Sequence, residues 1–211
     1  MGEIDSLLAR FVEKHLDEQF GLQMKHSIKD RIFERYGISL TGAIKEYEPF
    51  DKTLREFFGK AADGMIAQLF EKICTVKKSG RTVSLEIKDK ILANLLLESY
   101  GNKEKKSILF AVSSSALSIS KILKQANISS QTTGYRIINS MIGDGLLTES
   151  GFDVSVDGKK TQAYRTPIKK INIAIDQKST LNITLELSDD LVSKSGILST
   201  ICKNQVVGIL K

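Results

Sequence analysis

The chain has 211 residues, enough to bury a sizeable core as one large domain or two small ones. Its 41% apolar and 27% charged residues, with only 2 Pro, exclude a disordered or fibrous chain, and 2 isolated cysteines exclude a disulfide-stapled miniprotein. The net charge of +6 is unevenly spread: residues 1–100 balance at 16 basic and 16 acidic, whereas residues 103–170 hold 11 basic against 5 acidic and so point to a polyanionic partner. No apolar run approaches the ~20 residues that cross a bilayer, and no basic-then-apolar leader opens the chain. The expectation is a soluble, cytoplasmic protein with no membrane partner, its Cys74 and Cys202 reading as two structural thiols.

Residues 1–79 read as a bundle of short helices. Leu7, Leu8, Phe11, Val12 and Leu16 recur at helical spacing, and Ile28, Ile32 and Phe33 repeat the pattern up to Gly37. Ser39 is suited to cap a helix whose inner face is Leu40, Ala43, Ile44 and Tyr47. Pro49 fits the first turn of the next helix, with Leu54, Phe57 and Phe58 before Gly59, and Met65, Ile66, Leu69, Phe70 and Ile73 define a fifth. The polar run Lys77–Thr82 then reads as a boundary. Beyond it, residues 80–101 predict a connecting helix, Leu85 to Tyr100, with Ile87, Ile91, Leu92, Leu95 and Leu96 on one side; so wide an apolar stripe has to dock on the bundle or on a second copy.

The segment 102–170 changes character. Ile108, Leu109 and Val112 face inward on one helix. Ser118 is placed to cap a short second helix carrying Ile119, Ile122, Leu123 and Ala126, which Asn127 ends in a left-handed conformation. Ser129 or Ser130 caps a third helix with Ile138, Met141 and Ile142 inside, running to Gly145. A strand from Leu146, a turn at Asp157-Gly158 and a return strand over about 161–166 form a hairpin. In residues 171–211, Ile171, Ile173 and Ile175 alternate, as do Leu181, Ile183, Leu185 and Leu187, giving a second hairpin followed by a helix through Ile201.

Three helices followed by a β-hairpin predict a winged helix-turn-helix, in which the third helix buries one face on the second and offers the other to a major groove. The fold class expected is therefore α+β and mainly helical: an N-terminal helical bundle, then the winged helix-turn-helix, then a β-hairpin/helix extension. The recognition helix, about 130–144, would present Ser130, Gln131, Thr132, Thr133, Tyr135, Arg136 and Asn139. The basic wing, 157–165, would bring Lys159 and Lys160 at its tip and Arg165 on its return strand to flanking phosphates or the minor groove. Lys121 and Lys124 on the second helix are further candidates for backbone contact.

The stretch Ser118 to Leu147, with Thr133-Gly134-Tyr135-Arg136 and Gly145-Leu146-Leu147, resembles the recognition core of archaeal winged-helix transcriptional regulators related to the ArsR and MarR groups. The resemblance covers residues 103–167 and implies a sequence-specific DNA-binding regulator. Gly134 and Gly143 depart from a strong helix, Gly134 weakening it by up to ~1 kcal/mol relative to Ala. Asp144 stands where that family has its acid or base before Gly-Leu. Tyr36-Gly37-Ile38-Ser39-Leu40 and Leu54 to Gly59 are similar to a small helical domain described as a Nitrosopumilus output domain, which implies a regulatory setting for residues 4–75.

The partners expected are double-stranded DNA, a second copy of the chain in a homodimer, and an effector or protein partner for the N-terminal domain. The competing reading is a winged-helix adaptor that docks proteins. Ser118-x-x-Lys121 has the spacing of a penicillin-binding nucleophile without its partner motifs, and His15 and His26 lack neighbouring Cys; no enzyme, metal or cofactor site is predicted.

Overall fold

The computed structural model describes residues 3–79, 82–154, 158–177, 180–187 and 194–208. Helices α1 (Glu3–Phe20), α2 (Leu22–Tyr36), α3 (Leu40–Glu46), α4 (Glu48–Phe58) and α5 (Ala62–Glu71) form the N-terminal layer, joined by tight turns. Gly37 ends α2 at φ 68°, where a side chain would be strained, and Ser39 caps α3 by accepting a bond from the Gly42 amide at 3.1 Å. Pro49 lies in the first turn of α4. The inner stripe is Leu7, Leu8, Phe11, Val12, Leu16, Ile28, Ile32, Leu40, Ile44, Phe50, Leu54, Ile66, Leu69 and Phe70, all buried. Phe33 does not join it: one residue on from Ile32 turns the helix by roughly 100°, and the ring is 66% exposed. Tyr47, expected on the inner face of α3, instead occupies the α3–α4 junction at φ 64°.

The largest departure from the sequence reading is at residues 74–101. In place of a boundary and one long helix there is a β-hairpin, β1 (Cys74–Ser79) and β2 (Thr82–Ile87), followed by a shorter helix, α6 (Lys90–Gly101). Val83, Leu85 and Ile87 are buried while Thr82, Ser84 and Glu86 are not, a period of two that ends where α6 begins. Asp89 sets that start, accepting from the Leu92 amide at 2.7 Å. Strands β6 (Ile168–Ile175) and β7 (Leu181–Leu187) form the later hairpin, and the four strands make one antiparallel sheet in the order β1-β2-β7-β6. Leu85 lies opposite Leu185 and Ile87 opposite Ile183. The segment expected to link two domains is thus the middle of a sheet that joins residues 82–87 to residues 181–187.

Long-range polar contacts fasten the ends of the chain to this frame. Asp5, buried in α1, receives bonds from the Ser195 hydroxyl and the Gly196 amide, the latter at 3.1 Å, and so caps the last helix, α10 (Gly196–Gly208), from outside. His15 sits between Glu18 at 2.9 Å and Asp89 at 2.8 Å, holding α1 to the start of α6. Burial pushes the Asp89 carboxyl up, but the Leu92 amide and His15 together bring it below the usual range. One buried cluster runs from Ile4 through both hairpins of this sheet to Ile201. No described helix is long and apolar enough to cross a membrane.

Candidate nucleic-acid interface

Residues 103–165 fold as α7 (Lys103–Ala111), a two-residue strand β3 (Leu117–Ser118), α8 (Ile119–Gln125), α9 (Gln131–Gly143), β4 (Thr148–Val154) and β5 (Lys160–Arg165). The strands form a second antiparallel sheet in the order β3-β5-β4. Asn102 caps α7 through the Lys105 amide at 2.9 Å, and Ser130 is positioned to cap α9 through the Thr133 amide at 3.4 Å. Asn127 takes φ 54° between α8 and α9, the left-handed conformation that its short amide side chain tolerates. Ile108, Leu109, Val112, Ile122, Leu123, Ile138, Met141, Leu146 and Leu147 fill the interior. Strand β4 starts at Thr148, so Leu146 and Leu147 are core residues ahead of it.

Gly134 looks like a flaw in α9 when judged by helix propensity, and its environment explains it. A Cβ at this buried position would stand 2.3 Å from Leu123 Cδ2 and 3.2 Å from Ile128 Cγ2, so the missing side chain is what lets α8 and α9 approach. Gly134→Ala is expected to destabilise the chain by about 1–2 kcal/mol in urea unfolding, because overpacking of ~1–3 kcal/mol outweighs a propensity gain of under ~1 kcal/mol. Gly143, with open space around it, is expected to accept Ala without loss.

The other side of α9 is polar and open. Gln131, Thr132, Tyr135, Arg136 and Asn139 are exposed, while Gly134, Ile138 and Met141 are turned to the core. Ser130 is exposed, but its hydroxyl faces the helix start and donates to Thr133 Oγ1 at 3.0 Å; Thr133 itself is half-buried at the edge of the face. Arg136 has no ion-pair partner among the described residues. Lys159 and Lys160 are exposed next to Gly158, which takes φ 74°; residues 155–157, including the Asp157 half of the expected turn, lie outside the described residues. Arg165 is half-buried and opposite Thr148, at the base of the hairpin. Five residues of strand set it about 17 Å from Lys160, so the three wing cations do not act at one point.

Two joints of this unit escape a sequence reading. Asp153 on β4 accepts from Ser118 Oγ at 2.7 Å and from Lys121 Nζ at 2.6 Å, pinning the wing to the start of α8. Those two bonds, Lys121 first, hold its carboxyl below the usual range. Ser118 therefore spends its hydroxyl on the wing and makes no side-chain cap on α8, and Lys121 is an ion-pair residue before it is a candidate for a phosphate. The partners are far apart in the chain, and no local pattern signals them. The second joint is at the end of α9: Asp144 pairs with Arg10 of α1 at 2.7 Å, and Gly145, at φ 74°, lies against the backbone of Ser6 and Leu7. The recognition-helix candidate is thereby seated directly on the N-terminal helix.

Chemically, the face combines amides, hydroxyls and one guanidinium, groups that donate and accept hydrogen bonds to base edges and phosphates alike. No protein-family model, curated protein or solved structure is matched by this chain.

Proposed function

We propose that residues 102–167 form a winged helix-turn-helix that binds double-stranded DNA, with α9 in the major groove and the Lys159–Lys160 end of the β4–β5 hairpin on a flanking phosphate or in the minor groove. The observation that carries this reading is the division of α9 into a sealed side and an open side. Gly134, Ile138 and Met141 close the interior, and Gln131, Thr132, Tyr135, Arg136 and Asn139 stand outward around a cation with no described ion-pair partner. The basic excess of residues 103–170 and the resemblance of Ser118–Leu147 to archaeal regulators point the same way. In this reading Arg136 and Asn139 meet base edges, while the lysines neutralise phosphates.

A binding titration tests it. Arg136→Ala is expected to weaken binding to a selected DNA site by about 1–3 kcal/mol at fixed salt, with less effect on random DNA. Binding of the unaltered chain should fall with ionic strength, the log–log slope being about −0.9 for each phosphate contacted. A second reading has its own observation: Phe110 on α7 and Phe152 and Val154 on β4 are 69%, 65% and 56% exposed, apolar side chains that would suit docking of a protein. Such an adaptor would bind its partner with little salt dependence, and Arg136→Ala would leave that affinity unchanged.

A further inference from the structure

Strand β6 is the last strand of the four-stranded sheet, and among the described residues nothing pairs with its outer edge. Edge strands of soluble proteins are usually short, charged or covered, because their unpaired amides and carbonyls recruit another strand. Here the charge is confined to the start of the strand, at the exposed Lys169 and Lys170. From Ile171 to Ile175 it carries no charge, and two of its isoleucines are uncovered, Ile173 at 37% and Ile175 at 67% exposure. The charges stand at the two ends of that run and have opposite sign: Lys169 and Lys170 before it, Asp176 after it.

This arrangement is complementary to itself. Placed antiparallel to a second copy about a twofold at Ile173, Lys170 falls opposite Asp176, Ile171 opposite Ile175 and Ile173 opposite its own copy. Lys170 and Asp176 are on one face of the strand and the isoleucines on the other, so the charged pair and the isoleucine pairs are matched in kind, while Asn172 falls opposite Ala174. Lys170 already donates to Glu186 at 3.1 Å and Asp176 already accepts from the Thr180 amide at 2.8 Å; an ammonium donates three bonds and a carboxylate accepts several, so each can also serve the partner. The neighbourhood of Ile171 supplies a recess for the exposed Ile175 of the other copy. Tyr100, Leu109, Phe110, Ile168 and Ile171 line a groove of about 260 Å³ there, with Lys169 and Lys170 among its polar lining. A one-residue shift of the register would turn the isoleucines to the charged face and lose all of this.

We propose that the chain forms a homodimer through antiparallel pairing of β6 with β6 of a second copy, joining two four-stranded sheets into one continuous sheet, with each Ile175 seated beside the other copy's Ile171. The proposal stands on the sheet edge and is independent of DNA binding.

Sedimentation and light scattering of the full chain without DNA test it. The unaltered chain is expected to be a dimer whose melting midpoint rises with concentration. Ile173→Lys, which sets two ammonium groups face to face on the twofold at a half-exposed site, is expected to run as a monomer with the same circular dichroism and a midpoint that no longer depends on concentration. Cysteine cross-linking reads the register, in a Cys202→Ser background; Cys74 does not compete, being buried with its thiol pushed up to about 12. Ile173→Cys brings two sulfurs to strand-pair spacing, about 4.5–5.5 Å between Cα atoms, and should form an intermolecular disulfide on mild oxidation. Ile175→Cys, whose two copies would lie more than about 13 Å apart, should not. A monomeric unaltered chain at every soluble concentration overturns the proposal, as does a dimer that survives Ile173→Lys. Cross-linking at residue 175 in preference to 173 overturns it equally, and this arm decides the matter if Ile173→Lys fails to fold.

Discussion

Gly145→Ala is expected to cost about 2–5 kcal/mol of stability, more than the same change at Gly134 or Gly151. Two causes add. The residue is at φ 74°, where an L side chain costs ~1–2 kcal/mol. The new methyl would also stand 2.6 Å from Leu7 Cα, Leu7 N and Ser6 O, all backbone atoms of α1 that cannot rotate away, and overpacking of this kind adds ~1–3 kcal/mol. Gly151 provides the control: its φ of 75° is also positive, but nothing lies within 4 Å of its Cβ position. Gly151→Ala should therefore cost only the conformational part. Urea unfolding of the two variants separates the contributions, and equal losses would mean that α1 does not rest on this turn. Hydrogen exchange should also show the start of α1 loosening in Gly145→Ala alone. Arg10–Asp144 and Gly145 together hold the end of α9 against α1.

Local signals carried much of this architecture. The capping of α3 by Ser39, the turn at Gly37, the left-handed Asn127 and the start of α9 after Ser130 are each decided within a few residues, and the side-chain chemistry of those residues is enough to anticipate them. The alternation of Ile171–Ile175 and Leu181–Leu187 announced a hairpin for the same reason. What was hidden depends on partners elsewhere in the chain. Val83, Leu85 and Ile87 form a strand because β7 is there to receive them; followed by Ile91, Leu92, Leu95 and Leu96, Ile87 reads instead as the first residue of a helical stripe. Period two over five residues and period 3.6 over ten overlap at Ile87, and only the pairing of Ile87 with Ile183 decides between them. At the candidate interface the outward polar residues of α9 were legible from helical periodicity, whereas the roles of Ser118, Lys121 and Gly134 were not. Each of those three is set by contact with Asp153 or Leu123, which sequence spacing does not place nearby.

Asp5 gives the chain a pH dependence of unusual sign for a carboxylate. Burial raises its pKa from 3.8 to about 6, against the opposing pull of the Ser195 hydroxyl and the Gly196 and Ile197 amides. The folded state therefore binds this proton more tightly than the unfolded chain. The stabilisation is complete below the unfolded value near 3.8 and is lost as pH rises through about 6, so at pH 7 the fold holds a buried charge at a cost of up to about 3 kcal/mol. Glu18, Glu48, Glu86, Asp89 and Asp153 have lowered values and work in the other direction, their contribution disappearing only as pH falls below the usual carboxylate range. Comparison with Asp5→Asn removes that background, since the amide keeps the shape and does not titrate. Unfolding free energies measured from pH 7 to pH 4 should show the native chain gaining about 2–3 kcal/mol relative to Asp5→Asn, nearly all of it between pH 6 and pH 4. The gain should be seen at the docking of α10, as slower hydrogen exchange in residues 197–202 at the lower pH after correction for the intrinsic rate. A difference that stays flat across this range would mean that the Ser195 and Gly196 donors compensate fully for burial, leaving Asp5 an ordinary ionised cap for α10.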